Sequence, residues 1–221
     1  MKRMAVFAPL HNKQGKKDAT GAFQPEATKF CQLHGVSDSV HLIDNHDDAL
    51  EMRESVYQVL DAAPAGTFEA VLFFCHGFRS GLQFGFGMEH IRSLALRIKR
   101  ASVVAPTIVL YACDAARDMD RDEEDDRNDH VGGDGGFADR LRDELNDQGC
   151  RATVFAHSTA GHTTQNPHLR TFLPNERFGG RFVVAKDSGL WKKWSLCMRT
   201  TDLRFRVPFM EAAALESELS T

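Results

Sequence analysis

Two short stretches of the sequence end in residues that can do chemistry. Ala70–Gly77 reads AVLFFCHG and closes on His76-Gly77, and Thr107–Ala115 reads TIVLYACDA with Cys113 near its end. Each is an apolar run followed by a reactive side chain, the pattern of a buried strand that delivers a functional group at its tip. In a parallel sheet, ligands and catalytic groups collect beyond the carboxyl ends of the strands, so both tips are expected on one edge. A thiol beside an imidazole there is the minimum for nucleophilic acyl transfer. That chemistry would need His76 to favour the Cys113 thiolate and to protonate the departing amine. Gly77, with no side chain, lets its backbone N–H and that of Cys113 approach the negative oxygen of a tetrahedral intermediate.

Stepping outward, apolar runs alternate with segments of helical spacing, which is how an α/β sheet with covering helices is written. About six strands are expected, at Met4–Leu10, Val40–Ile43, Ala70–Phe74, Thr107–Ala112, Ala152–Ala156 and Arg181–Ala185. Pro25 and Gly35 bracket a helix over 25–34. Asp47 or Asp48 caps a second helix with a stripe of Leu50, Met52, Val56, Val59 and Leu60. A third covers 89–100, and a fourth after Gly136 carries Phe137, Leu141 and Leu145 and stops at Gly149. Glycines in GFRSGLQFGFG, residues 77–87, mark a small hairpin, and 209–219 reads as a terminal amphipathic helix. The expected fold is a single α/β domain over 1–221, a mainly parallel sheet between helical layers, with an acidic loop at 117–134 and a C-terminal segment at 187–221.

The two motifs, in this order and 37 residues apart, resemble those of the caspase-like cysteine peptidases, the group of caspases, metacaspases, legumain, clostripain and gingipains. The resemblance spans residues 1–186 in strand order, and only the two short motifs are specific. It implies a three-layer α/β/α sandwich, His76 and Cys113 as the catalytic dyad, a thioester acyl-enzyme and a protein or peptide substrate. One position departs from the group. Two residues before the nucleophile, where Gln, Glu or Asp often lines the substrate pocket, stands Tyr111, which alternation points the same way as Cys113. The group's side-chain preferences therefore do not carry over. Asp114 and Asp118, close to the site, favour a basic substrate side chain by local potential. His157 and Ser158, at the same sheet edge, are candidate pocket-wall residues.

Residues 117–134 hold nine Asp or Glu against three Arg, most simply a solvated charge run. Asp118, Asp120, Asp122, Glu124 and Asp129 fall at calcium-loop positions, but Glu123 stands where an EF-hand needs glycine. No cofactor is expected; looser calcium binding through Asp118, Asp120 and Asp122, as in some metacaspases, is the alternative. The loop also sits where caspase-like enzymes are often cut during maturation, which makes Arg117, Arg121 and Arg127 candidate self-cleavage points. His157, His162 and His168 match no common zinc spacing and read as polar loop histidines. Alternation turns Cys75 away from His76, and Cys31, Cys150 and Cys197 read as structural.

Composition sets the frame. The chain has 221 residues, 42% hydrophobic and 26% charged, enough for one core without disulfides or a structural metal. Five scattered cysteines without a C-x-x-C pair fit reduced thiols in a cytoplasmic setting. The N-terminal apolar run is too short for a signal peptide, and none reaches the roughly 18 residues of a membrane span. A net charge of −4, with the excess concentrated in one loop, gives no basic footprint for nucleic acid or membrane. Two other functions compete. An α/β-hydrolase esterase would use Ser158 in AHSTA, yet alanines replace both elbow glycines and no histidine follows His168. A catalytically silent binding or scaffold domain would have no chemical reason to keep both His76 and Cys113.

Overall fold

The structure, a computed structural model, describes residues 3–11, 23–34, 36, 40–46, 48–121, 131–160 and 168–182. Its centre is an eight-stranded mixed sheet built from β1 (Met4–Pro9), β2 (His41–Ile43), β3 (Phe68–Phe74), β7 (Ser102–Tyr111), β8 (Val131–Gly132), β9 (Thr153–His157), β10 (Leu169–Phe172) and β11 (Gly180–Phe182). The order is β2-β1-β3-β7-β9-β10-β11-β8. The first five strands in that order are parallel, and β10, β11 and β8 extend one side antiparallel. Among the described residues the large sheet holds two strands more than the six expected, β8 and β10, and residues 183–185 of the sixth expected strand lie outside the described residues.

Among the described residues four α-helices cover the sheet: α1 (Phe23–His34), α2 (Ala49–Ala62), α3 (Ile91–Ala101) and α4 (Phe137–Asp147). Their placement follows from handedness. β1→β2 steps one way along the sheet, whereas β2→β3, β3→β7 and β7→β9 step the other way, and right-handed crossovers then put α1 on one face and the other three helices on the opposite face. Two apolar clusters reflect this. Phe23, Ala27, Phe30 and Cys31 of α1 pack on Met4, Val6, Leu72, Phe74, Val109 and Tyr111. Met52, Val56, Leu60, Leu94, Ile98, Phe137, Leu141 and Leu145 pack on Phe7, Val71, Phe73, Ile108, Leu110 and Val154.

Local chemistry sets the element ends. Asp48 caps α2 by accepting from the N–H groups of Leu50 and Glu51, and the Glu51 carboxylate accepts from the Asp48 N–H in return, a capping box that favours the helix by about 1 kcal/mol. The expected stripe on α2 shifts slightly: Leu50 is 55% exposed and Tyr57 is buried instead. α1 starts two residues before Pro25, which is tolerated because first-turn N–H groups have no helical partner. The glycine-rich hairpin gains a third strand, forming a separate small sheet of β4 (Gly77–Phe78), β5 (Gly81–Leu82) and β6 (Phe86–Gly87). β7 begins at Ser102 rather than Thr107, with an irregularity where Phe68 pairs with Ser102 and Ala70 with Thr107; Pro106 falls in that break, where a missing N–H is tolerated. The C-terminal segment 187–221, with its expected helix, lies outside the described residues.

Candidate functional site

β3 and β7 are hydrogen-bonded neighbours with Phe74 opposite Tyr111. The ladder runs one step further, the Cys75 N–H donating to the Tyr111 carbonyl at 3.3 Å. Two residues beyond the last paired positions, His76 and Cys113 stand at the same level. Alternation puts both on the α1 face, because Phe74 and Tyr111 beneath them belong to the α1 cluster while Cys75 and Ala112 belong to the other. Both are partly exposed.

The two tips are pressed together at Gly77. A Cβ built on it would lie 2.5 Å from the Cys113 carbonyl oxygen and 2.6 Å from the Ala112 Cβ, so only glycine lets the segments close. Gln83, on the strip between β5 and β6, grips His76 from both sides: its Oε1 accepts the His76 N–H at 3.1 Å, and its own N–H donates to the His76 carbonyl at 2.9 Å. Phe23, the first residue of α1, meets the imidazole edge-on at a centroid distance of 4.9 Å.

Beyond Cys113 the chain turns through Asp114, whose φ of 57° is left-handed and is adopted by Asp more readily than by most residues. The Arg117 N–H closes the turn on the Asp114 carbonyl at 3.0 Å, and the Ala116 N–H reaches the His157 carbonyl at 2.9 Å. α4 has no side-chain cap. Its first free N–H groups are satisfied instead by the loops that flank the dyad, Phe137 donating to the Arg79 carbonyl at 2.8 Å and Ala138 to the Ala115 carbonyl at 2.9 Å. One helix start thus ties the segment after His76 to the segment after Cys113.

The surrounding residues occupy different depths. Tyr111, expected to line the pocket, faces the expected side but is 1% exposed, its ring stacked on Phe74 at 4.5 Å and edge-on to Phe30; it is a floor beneath the dyad, not an open wall. Burial, with the Glu26 carboxylate nearby, pushes its hydroxyl well above the usual range. His157 lies at that same lower level beside Tyr111, fully buried, and burial together with His168 lowers it to about 3, partly offset by the His168 backbone, which favours the protonated ring. It is neutral and sealed. Ser158 is 1% exposed on the opposite face from Cys113 by alternation, which corrects its placement as a pocket wall. Cys75 is buried among α2, α3 and α4, and desolvation, with a smaller push from Cys113, raises its thiol.

In the acidic loop, Asp118 is buried at 6% exposure, accepts the Asp120 N–H at 2.9 Å and lies 3.9 Å from the Arg121 guanidinium. Among the described residues neither Asp118 nor Asp120 joins a group of three donors spaced for a metal ion. Arg117 is partly buried and Arg121 exposed. Asp122, Glu123, Glu124, Arg127, Asp129, His162 and Cys197 lie outside the described residues, so of the expected calcium and self-cleavage positions only Asp118, Asp120, Arg117 and Arg121 are described.

Several participants were not read from the sequence. Glu26 is 7% exposed within the apolar stripe of α1, three residues from Phe23 and four from Phe30; an acid on a buried helical face was the available signal. Gln83, the clamp, sits in a run whose glycines alone drew notice. Two surface hollows, one between α1 and the β2 edge and one between α2 and α3, are lined by neither His76 nor Cys113. No helix among the described residues is long and apolar enough to cross a membrane.

Comparison with known proteins adds no relative: no protein-family model, curated protein or solved structure matches the chain.

Proposed function

We propose that this chain is a caspase-like cysteine endopeptidase in which Cys113 is the nucleophile and His76 the general acid–base. The observation that carries the reading is the juxtaposition of the two residues at neighbouring parallel strand tips, on one face, both partly exposed and closed together at Gly77. The thiol proton passes to the imidazole as sulfur attacks the scissile carbonyl carbon. The tetrahedral oxyanion collapses as the C–N bond breaks and His76 gives its proton to the leaving amine. Water, deprotonated by His76, then adds to the thioester, and C–S cleavage returns the thiol. Fixing both groups before substrate arrives removes much of the entropic part of the barrier.

For specificity, we favour a basic residue preceding the cut bond. Asp114 follows the nucleophile directly and Asp118 five residues after it, and buried Glu26 lies beside Tyr111 under the dyad, so negative potential converges there. The acidic loop, entered from the nucleophile turn, is the proposed self-processing segment at Arg117, Arg121 or Arg127. An esterase using Ser158 gains no support from a hydroxyl in a residue 1% exposed, and nothing favours the silent-scaffold reading. A peptide library with Arg, Lys, Asp or Asn before the cut, incubated with the wild type and with Cys113→Ala, tests the proposal: cleavage after Arg or Lys by the wild type alone supports it, and cleavage that survives the substitution overturns it.

A further inference from the structure

We propose that His11, Asp44 and His46 form a binding site for one divalent transition-metal ion, Zn2+ by donor chemistry, at the tips of β1 and β2. Two imidazoles and a carboxylate present one donor atom each, all within 4.8 Å of one another. His11 Nε2 is 3.1 Å from Asp44 Oδ1. Two ligands held about 2.0–2.1 Å from one zinc ion, at tetrahedral to octahedral angles, are themselves about 2.9–3.4 Å apart. His11 and Asp44 therefore already have the spacing of neighbouring ligands. His46 lies flat on His11, ring centroids 4.0 Å apart and planes within 7°. An ion cannot sit in the planes of two parallel rings at once, so capture requires His46 to turn about its side-chain torsions, and its exposure leaves room for that turn.

The backbone around these side chains is fixed. The Leu10 N–H donates to the Ile43 carbonyl at 2.7 Å, carrying the β1–β2 ladder up to the site. Asn45 then clamps His11 in both directions: its Oδ1 accepts the His11 N–H at 2.8 Å and its Nδ2 donates to the His11 carbonyl at 3.1 Å. The His46 N–H donates to Asp44 Oδ1 at 3.0 Å, holding the carboxylate near the rings. Such outer contacts orient ligands before the ion arrives. The location also suits a ligand. β1 lies where the sheet order reverses, with β2 on one side and β3 on the other, and sites in open α/β sheets gather at the carboxyl ends of strands at that reversal. Continuing the β1–β3 register from Phe7 opposite Phe73 brings Leu10 level with His76, so the ion would sit beside the crevice that holds the dyad. Mixed nitrogen and oxygen donors select Zn2+ or its neighbours over Ca2+ and Mg2+, which take oxygen ligands, and three protein ligands leave a coordination position for water or another group.

The test uses the full chain carrying Cys113→Ala, which removes the accessible thiol as a competing ligand, stripped by chelator and kept reduced. Co2+ binding is followed by visible absorption and Zn2+ affinity by competition with a chromophoric chelator, on this background and with His46→Ala, Asp44→Asn or His76→Ala added. The expected result is one Zn2+ equivalent weakened at least tenfold by His46→Ala and by Asp44→Asn, insensitive to millimolar Mg2+ and within twofold of background in His76→Ala. Retention of full affinity in His46→Ala, or loss in His76→Ala instead, would overturn the assignment.

Discussion

The Gly77 Cα rests against the Cys113 carbonyl so closely that a methyl group there would stand 2.5 Å from the oxygen. No rotation of a side chain relieves this, because the obstructing atoms are backbone and Cβ. Gly77→Ala must therefore separate the tips of β3 and β7. We expect a loss of roughly 1–3 kcal/mol in stability, the usual cost of overpacking, and at least a hundredfold loss in peptide hydrolysis. Urea unfolding and kcat/KM on one peptide check both. An unchanged kcat/KM would show that the approach has no part in catalysis.

Gln83 touches no substrate in the proposed mechanism and acts through the main chain of His76. Gln83→Ala should lower kcat about tenfold with KM near its wild-type value, since the bound state survives while the imidazole loses its fixed aim. Gln83→Glu keeps an acceptor for the His76 N–H and should restore most of the loss. A change in KM alone would point to a substrate contact instead.

Acid should destabilise the fold through His157. Between about 3, where burial holds its folded value, and its ordinary 6.5, the unfolded chain binds a proton that the folded chain refuses. Stability then falls as pH drops through that window, by up to about 1.4 kcal/mol per pH unit. Asp139 works in the opposite sense. Burial pushes its carboxyl to about 6 from 3.8, against the Gly135 N–H and Arg142, so the folded chain holds the extra proton between those values and part of the loss is returned. Urea midpoints of the wild type and His157→Gln at pH 7, 6 and 5 should converge toward low pH as the wild type loses its advantage. Parallel profiles would contradict this account.

How far the sequence carried depends on what each residue had to reveal. β3 and β7 are apolar on both faces, so their runs announced themselves, and with them the tips bearing His76 and Cys113. β10 stayed hidden because Arg170 and Thr171 interrupt it; only in three dimensions does the buried Arg170 guanidinium lie 4.1 Å from the Phe182 ring and donate to the Gly180 carbonyl at 3.0 Å. β8 is two residues long, too short for any period. Alternation gave the correct face for Tyr111 but could not give its depth, which stacking on Phe74 and contact with α1 decide. His11 and the Asp44–His46 pair are separated by α1 in the chain and meet because β1 and β2 are adjacent parallel strands.

The central claim is that the Cys113 sulfur is a nucleophile activated by His76 in a cleft open to a polypeptide. A peptidyl electrophile with a basic terminal residue, followed by intact mass and peptide mapping, measures this directly. The account predicts one adduct per chain at Cys113, none at the buried Cys75 or Cys150, and a rate at least a hundredfold lower in His76→Ala. Labelling of Cys113 at an undiminished rate in His76→Ala, or no labelling of Cys113 in the wild type, would contradict it.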